Sequence, residues 1–187
     1  NVIGMSILGH VDLETEQRDV YLKARRSMDD DGNVTEYGEI SEERFAELYE
    51  KEEILLSITE NGFGKRTNAY EYRVTNRGGQ GIINIETSDR NGQVVATFPV
   101  TPEHQIMLVT NGGKLIRTPI SDIRVAGRNT QGVTLFKTAK GEKVVSVTAL
   151  EEGKSDEDDE EMSDEATTTD NNENSSEVSS GEEGDGS

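Results

Sequence analysis

The chain has 187 residues, of which 31% are hydrophobic, and its formal net charge at pH 7 is −19. It contains no cysteine, which excludes disulfide bonds, thiolate metal sites and cysteine nucleophiles and is typical of a reducing cytosol. The apolar run at residues 2–8 is too short to cross a bilayer and has no basic residues before it. We therefore expect a soluble, cytoplasmic protein without membrane contact.

The charge is distributed unevenly along the chain. Residues 54–150 hold 12 Lys and Arg against 7 Asp and Glu, a net charge of +5. Residues 9–53 hold 6 against 15, and residues 151–187 hold 1 against 16, so these segments carry −9 and −15. A basic module between two acidic segments is typical of a protein that binds a polyanion.

Residues 1–8 have the pattern of a closing β-strand, because residues 1–6 resemble residues 143–148 in register. The chain is therefore expected to begin at the end of a truncated structural unit. Two whole units and one strand are too few for a complete fold of stacked units, so we infer a piece of a longer protein.

Residues 9–53 are predicted to form an acidic, partly helical insertion. The first helix is expected from about Asp12 to Arg26, followed by a turn at residues 29–32. A second helix is expected to begin after the N-cap Ser41, and its apolar residues recur at i, i+3 and i+4. These apolar residues are Phe45, Leu48 and Tyr49.

Residues 54–150 contain two copies of one unit, because the sequence aligns with itself at a constant offset of 51 residues without gaps. The copies span residues 54–100 and 101–150. The aligned pairs include Thr59 with Thr110, Gly62 with Gly113, Arg66 with Arg117, Arg73 with Arg124, and Arg77 with Arg128. Each copy alternates short apolar runs with turn signals such as Asn61-Gly62, which predicts four strands, the size of a propeller blade.

Residues 151–187 consist mainly of Asp, Glu, Ser, Thr, Asn and Gly. Such a segment buries too little apolar surface to offset the entropy of ordering, so a disordered tail is predicted. His10 and His104 have no companions at ligand spacing, which argues against a metal site.

Four stretches of residues 54–150 resemble the C-terminal domain of the DNA gyrase A subunit. They are Glu60-Asn61-Gly62-Phe63-Gly64-Lys65-Arg66-Thr67, Asp89-Arg90-Asn91-Gly92, Gln105-Ile106-Met107-Leu108, and Gly127-Arg128-Asn129-Thr130-Gln131-Gly132-Val133. The resemblance implies an all-β fold, a six-bladed β-pinwheel whose propeller-like blades exchange a strand with a neighbour. The units at 54–100 and 101–150 would be the fifth and sixth blades.

The resemblance also implies a function in a type IIA topoisomerase that introduces negative supercoils into DNA using ATP. The family's cleavage tyrosine belongs to another part of the gyrase A protein, and its nucleotide site belongs to the gyrase B protein. This chain is therefore expected to carry no catalytic, cofactor or metal residues, with ATP and Mg²⁺ acting through gyrase B. The expected partners are double-stranded DNA, bound without regard to sequence, gyrase B and a second gyrase A in an A2B2 assembly on the nucleoid.

Wrapping of DNA requires a curved track of cations near the phosphates, because release of counterions supplies the main driving free energy. The repeat predicts such a track, since cations recur at equivalent positions of the two units. The candidate DNA-binding residues are Lys65, Arg66, Arg73, Arg77, Lys114, Arg117, Arg124 and Arg128. The alternative is that these side chains are merely solvated strand residues.

Three other questions remain open at the level of sequence. The acidic tail is either an inert extension or a competitor that screens the basic module, and the insertion is either a solvated excursion or a docking surface. The function itself has two alternatives. One is a propeller-like protein-interaction module, and the other is the equivalent domain of topoisomerase IV.

Overall fold

The computed structural model describes residues 2–9, 11–29 and 31–151. Most of the predicted tail, residues 152–187, lies outside the described residues, as do Asn1 and His10. The described chain contains two helices and seven strands, arranged as two antiparallel sheets preceded by a helical insertion. No helix among these residues is both long enough and apolar enough to span a membrane. The all-β, propeller-like fold predicted from the sequence is confirmed.

The insertion contains the two predicted helices, α1 (Thr15–Arg26) and α2 (Glu42–Glu50). The side chain of Ser41 accepts a hydrogen bond from the Arg44 amide, so it is the N-cap expected from the sequence. Both helices bury their apolar faces in a small core of their own. The buried residues of this core are Tyr21, Leu22, Ala24, Phe45 and Leu48.

This small core is closed by the first blade unit. Tyr70, in the 3-10 helix Ala69–Glu71, packs on it with its ring edge against Tyr21 at 5.3 Å between centroids. The Tyr70 hydroxyl donates to the Leu48 carbonyl. The Tyr21 hydroxyl and the Arg25 guanidinium both donate to Glu52, whose side chain is 5% exposed. Aromatic packing therefore fixes α1 against the first unit, while the Glu52 contacts tie α1 to the end of the insertion.

The first unit forms one sheet with a strand supplied by the second. Its strands are β1 (Ile54–Thr59), β2 (Phe63–Asn68) and β3 (Val94–Val100). The fourth, β6 (Val133–Thr134), belongs by sequence to the second unit and pairs antiparallel with β2, giving the order β3-β1-β2-β6. This pairing is the strand exchange that the resemblance implied.

The second unit forms a three-stranded sheet in the order β5-β4-β7. Its strands are β4 (Gln105–Thr110), β5 (Leu115–Pro119) and β7 (Val144–Leu150). One apolar core extends across both sheets, so the two units bury their surfaces against each other. Its fully buried side chains include Leu56, Ile58, Ile106, Leu108, Ile120 and Ile123.

Two strands predicted by the sequence pattern are not formed: the closing strand at residues 1–8, and one of the four strands of the first unit, which corresponds to the apolar run at residues 82–85. Residues 2–8 and residues 82–85 adopt no strand structure, although both have apolar sequences. The equivalent of residues 82–85 in the second unit, residues 133–136, includes β6, which pairs with the preceding unit's hairpin. The amides and carbonyls of a strand need hydrogen-bond partners on a neighbouring strand. Residues 2–8 and residues 82–85 have no such partner strand among the described residues. Ile83 is 64% exposed as a result.

The strand exchange depends on glycine at two points of close approach. Gly132 has φ +77°, and a Cβ there would lie 2.6 Å from the Gly64 carbonyl oxygen. Gly62 has the same φ, and its Cβ would lie 2.6 Å from the Phe136 carbonyl oxygen. Left-handed backbone favours glycine, and backbone contacts this close leave no room for a side chain.

We expect Gly132→Ala to destabilise the chain more than Gly141→Ala does. Gly141 has φ +81° with no atom within 4 Å of its Cβ position, so alanine there meets the conformational penalty alone, about 1–2 kcal/mol. At position 132 the clash with Gly64 adds to that penalty. The measurement is chemical denaturation followed by circular dichroism, and equal losses for the two variants would contradict the role given to Gly132.

Candidate nucleic-acid interface

The eight predicted DNA-binding cations lie in different environments. Five are exposed, two are half-buried and one is completely buried. The exposed residues are Arg73, Arg77, Lys114, Arg117 and Arg124; the half-buried ones are Arg66 and Arg128; the buried one is Lys65. The sequence repeat therefore places the backbone equivalently without giving the side chains equivalent exposure.

Arg73 and Arg77 lie in an exposed, glycine-rich loop at residues 73–81. This loop lines a shallow concave surface of about 640 Å³. Among the residues that the structure describes, neither guanidinium has a carboxylate within ion-pair distance. Gly78 and Gly81 have φ of +79° and +78° and open space where a Cβ would lie, so nothing blocks approach to the backbone there. The loop thus offers two unpaired cations and accessible amides to an anion.

Lys114 is exposed but its charge is balanced. Its ammonium lies 2.7 Å from Glu142, a carboxylate whose side chain is only 7% exposed. Hydrogen bonds from Lys114, the Ala139 amide and the Thr110 hydroxyl lower the pKa of Glu142 to about 2. Glu142 therefore stays ionised at neutral pH, and its negative charge offsets the positive charge of the neighbouring Lys114.

The repeat-equivalent of Glu142 is Asn91, and the two residues hold the same turn. The Asn91 side-chain oxygen accepts from the Ser88 amide at 2.8 Å, just as Glu142 accepts from the Ala139 amide at 2.8 Å. Asn91 is fully buried and donates to the carbonyls of Glu86 and Gln131. An amide in one unit and a carboxylate in the other thus serve one structural purpose with different charge.

Arg66 and its repeat-equivalent Arg117 differ in what they contact. Arg66 Nε donates to the Ile123 carbonyl at 2.5 Å, and its terminal nitrogen donates to the Ser121 carbonyl at 3.3 Å. Burial lowers the pKa of Arg66, and the nearby charge of Arg25 lowers it further. Arg117 is exposed and donates to Gln105 within its own unit. Arg66 therefore joins the two units, while Arg117 faces solvent.

Arg128 also makes contacts between the units. One terminal nitrogen donates to the Ile83 carbonyl at 2.7 Å, and its backbone amide donates to Glu71 at 2.8 Å. Its equivalent in the first unit, Arg77, makes no comparable contact among the described residues. Half-buried Arg128 is thus less available to an external anion than Arg77 is.

Lys65 requires a correction, because the exposed position expected for it is wrong. The residue is 0% exposed, and its ammonium donates to the carbonyls of Gly127 and Arg128, each at 2.6 Å. Burial lowers the pKa of Lys65 to about 8, with the charge of Glu71 opposing and that of Arg128 reinforcing the shift. Its ammonium therefore holds residues 127–128 of the second unit against β2, and it is too deeply buried to contact a phosphate.

Two exposed lysines are not among the candidate cations that the sequence repeat identifies. Lys137 and Lys140 are exposed and have no ion pair within the described part of the chain. Their repeat-equivalents are Glu86 and Asp89, so a search for cations that recur in both units passes over them. The exposed cations of the second unit are consequently more numerous than the repeat alone indicates.

We expect Lys65→Met to lower the free energy of unfolding by about 1–3 kcal/mol, because the Gly127 and Arg128 carbonyls lose their donor. The pH dependence gives a second readout. The pKa of Lys65 is lower in the folded chain than in the unfolded one, so the unfolded state binds more protons and stability rises between pH 8 and 10.5. Denaturation measured across this range should show the rise in wild type and lose it in Lys65→Met; an identical pH dependence would contradict the assignment.

Comparison with known proteins places this arrangement in a family. The model of the DNA gyrase C-terminal domain, a β-propeller, matches residues 53–101 and 104–151. The DNA gyrase A subunit of Rickettsia bellii is 43% identical over 163 residues, covering 83% of this chain and 18% of that protein. The DNA gyrase A subunit of Granulibacter bethesdensis is 47% identical over 173 residues, covering 82% of this chain and 18% of that protein.

Two solved structures are also similar to this chain. A structure of the DNA gyrase A C-terminal domain matches with a TM-score of 0.48 and 28% identity, covering 51% of this chain and 33% of that one. The C-terminal domain of DNA topoisomerase IV matches with a TM-score of 0.48 and 21% identity, covering 53% of this chain and 31% of that one.

Both of the full-length relatives are gyrase proteins, which favours gyrase over topoisomerase IV. The chain spans about a fifth of the length of these relatives. The two matched ranges correspond to the two blade units and leave α1 and α2 outside. The chain belongs to the DNA gyrase C-terminal domain family.

Proposed function

We propose that this chain is a DNA-wrapping module, which binds duplex DNA through the sugar–phosphate backbone without reading the base sequence. The observation that carries the proposal is the exposed loop at residues 73–81, where Arg73 and Arg77 have no carboxylate partner among the described residues. Exposed arginines beside accessible amides suit phosphate oxygens, which accept hydrogen bonds from both.

The driving free energy in this proposal is the release of counterions from DNA. The exposed cations without a carboxylate partner among the described residues include Arg73 and Arg77 of the first unit's loop and, in the second unit, Arg117, Arg124, Lys137 and Lys140. A duplex that contacts both units must follow the surface from one to the next. Lys65, Arg66 and Arg128 contribute by joining the units rather than by touching DNA.

In the complete enzyme, we place this chain in the gyrase A protein of an A2B2 gyrase that introduces negative supercoils. ATP and Mg²⁺ would act through gyrase B, and this chain would bind neither. The described residues contain no cluster of three or more histidine, cysteine, aspartate or glutamate side chains that could hold a metal ion. The site of action would be the cytoplasm, on the nucleoid.

We expect Arg73→Glu/Arg77→Glu in the full-length gyrase A protein to weaken binding to duplex DNA. Loss of two phosphate contacts should reduce the slope of log affinity against log salt by about 2. The matched control is Lys23→Glu/Arg44→Glu, which makes the same change of charge at insertion residues paired with Glu36 and Glu47. A salt titration that gives the same slope for both double variants would remove the loop from the interface. Complete absence of DNA binding by the wild-type protein would favour a protein-interaction module.

We expect Glu142→Gln to strengthen DNA binding, because it removes the carboxylate that balances Lys114. The released ammonium should raise the salt slope by about 1. The double variant Lys114→Gln/Glu142→Gln should return the slope to the wild-type value, since the added charge is gone. Electrophoretic mobility shifts over a salt series measure all three proteins. An unchanged slope in Glu142→Gln would place Lys114 away from DNA.

A further inference from the structure

A cleft of about 570 Å³ lies between the helical insertion and the second blade unit. The last turn of α1 forms one wall, and residues 124–133 of the second unit form the other. Its floor includes the end of β2 and the adjoining 3-10 helix. The family match covers only two of these three parts, because α1 lies outside the matched ranges.

The charged groups that line this cleft are predominantly cationic. Arg25, Arg26 and Arg124 contribute three guanidinium groups, and Glu71 contributes the one carboxylate among the described lining residues. Glu71 is already engaged: it accepts from the Arg128 amide at 2.8 Å and lies 3.6 Å from Arg26. The cleft therefore retains a positive charge beside an insertion that is acidic as a whole.

The three arginines differ in how free they are to bind an external group. Arg25 is held by Glu52 at 2.9 Å and lies over the Tyr49 ring, so it shapes the wall. Arg26 has a side chain that is 68% exposed, and its one ion pair within the described chain, with Glu71, is long. Arg124 is exposed, and its guanidinium has no carboxylate partner among the described residues. Arg26 and Arg124 are thus the two cations available to a ligand.

Asn68 supplies an independent sign of a missing acceptor. It lines the cleft, is 3% exposed, and its side-chain oxygen accepts from the Tyr70 amide at 2.8 Å. That contact fixes the orientation of the amide group. Its nitrogen, Nδ2, then has no acceptor among the residues that the structure describes. Buried donors are normally satisfied, so the unpaired Nδ2 of this lining residue is compatible with an acceptor supplied from outside the described chain.

The helix dipole does not explain this arrangement by itself. Basic residues are favoured in the last turn of a helix, which accounts for Arg25 and Arg26 as neighbours of Lys23. It does not account for Arg124, which comes from another unit, or for the unpaired amide of Asn68.

We propose that this cleft binds a backbone phosphate of duplex DNA, with Arg26 and Arg124 as the charged contacts and Asn68 as a hydrogen-bond donor. The inference rests on the proposed DNA-wrapping function, and it gives the insertion a part in that function. A DNA phosphate is the expected ligand because Arg124 is the repeat-equivalent of Arg73, which lies in the exposed loop of the first unit. A duplex held at equivalent positions of the two units meets the cleft at Arg124.

The test compares two charge reversals on one helix, in the full-length gyrase A protein assembled with gyrase B. Arg26→Glu changes a cleft residue, and Lys23→Glu changes a residue of nearly equal exposure, 69%, that pairs with Glu36 within the insertion. Both place an acid in the last turn of α1, so their effects on the helix are matched. Arg26→Gln is the milder variant in case Arg26→Glu fails to fold. It removes the positive charge without placing a second carboxylate near Glu71.

A second variant tests the amide. Asn68→Asp keeps the oxygen that accepts from Tyr70 and replaces the unpaired donor with a carboxylate oxygen. We expect both Arg26→Glu and Asn68→Asp to weaken DNA binding, and Arg26→Gln to lower the salt slope by about 1. Lys23→Glu should keep the wild-type slope. Hydroxyl-radical footprints should lose protection at one end of the wrapped segment in the cleft variants alone.

The outcomes separate this inference from the function on which it rests. One outcome is that Arg26→Glu and Lys23→Glu bind DNA with the same salt dependence, while Arg73→Glu/Arg77→Glu still has a smaller slope of log affinity against log salt. That outcome overturns the cleft proposal and leaves the wrapping function standing. If the loop variant also has no effect, the function itself fails. Calorimetry with inorganic phosphate distinguishes the two sources of a phosphate group. If the wild-type protein binds phosphate and Arg26→Glu does not, while DNA binding is unchanged in that variant, the cleft is a site for free phosphate and the assignment to DNA is overturned.

Discussion

The pairing of β6 with β2 is the contact on which the rest of the structure depends. It completes the first unit's sheet with a strand from the second unit, and it needs glycine at positions 62 and 132 because the backbones meet there. Lys65 and Arg66 reinforce the same junction by donating to carbonyls of the second unit. Since a strand of the second unit completes the first unit's sheet, the two units are held together and the cations that they carry keep a fixed spacing.

A repeat in the sequence predicts backbone geometry better than it predicts side-chain environment. The constant offset correctly indicated two similar β units, and Ser41 and the apolar spacing after it correctly located α2. The same offset paired Arg66 with Arg117, although one is half-buried against the next unit and the other is exposed. Exposure depends on which segment packs against a strand, and that information is not contained in either copy alone.

The candidate interface was therefore only partly predictable. Arg73, Arg77, Arg117 and Arg124 are exposed as expected, whereas Lys65 is buried because its side chain crosses the junction between units. Lys137 and Lys140 were missed because the first unit has acids at the equivalent positions. Arg26 was missed for another reason: it lies in a segment whose average charge is strongly negative, and a three-dimensional contact brings it beside the basic module.

The turn that contains Asn91 in one unit and Glu142 in the other shows that equivalent backbone contacts can be made by side chains of different charge. Asn91 and Glu142 accept hydrogen bonds from equivalent backbone amides, but buried Asn91 also donates to the Glu86 and Gln131 carbonyls, which a glutamate could not do. At position 142 the side chain faces no such demand, and its carboxylate neutralises the ammonium of Lys114. Replacing the Glu142 carboxylate by an amide would therefore change the net charge of one blade by one unit while keeping the acceptor for the Ala139 amide.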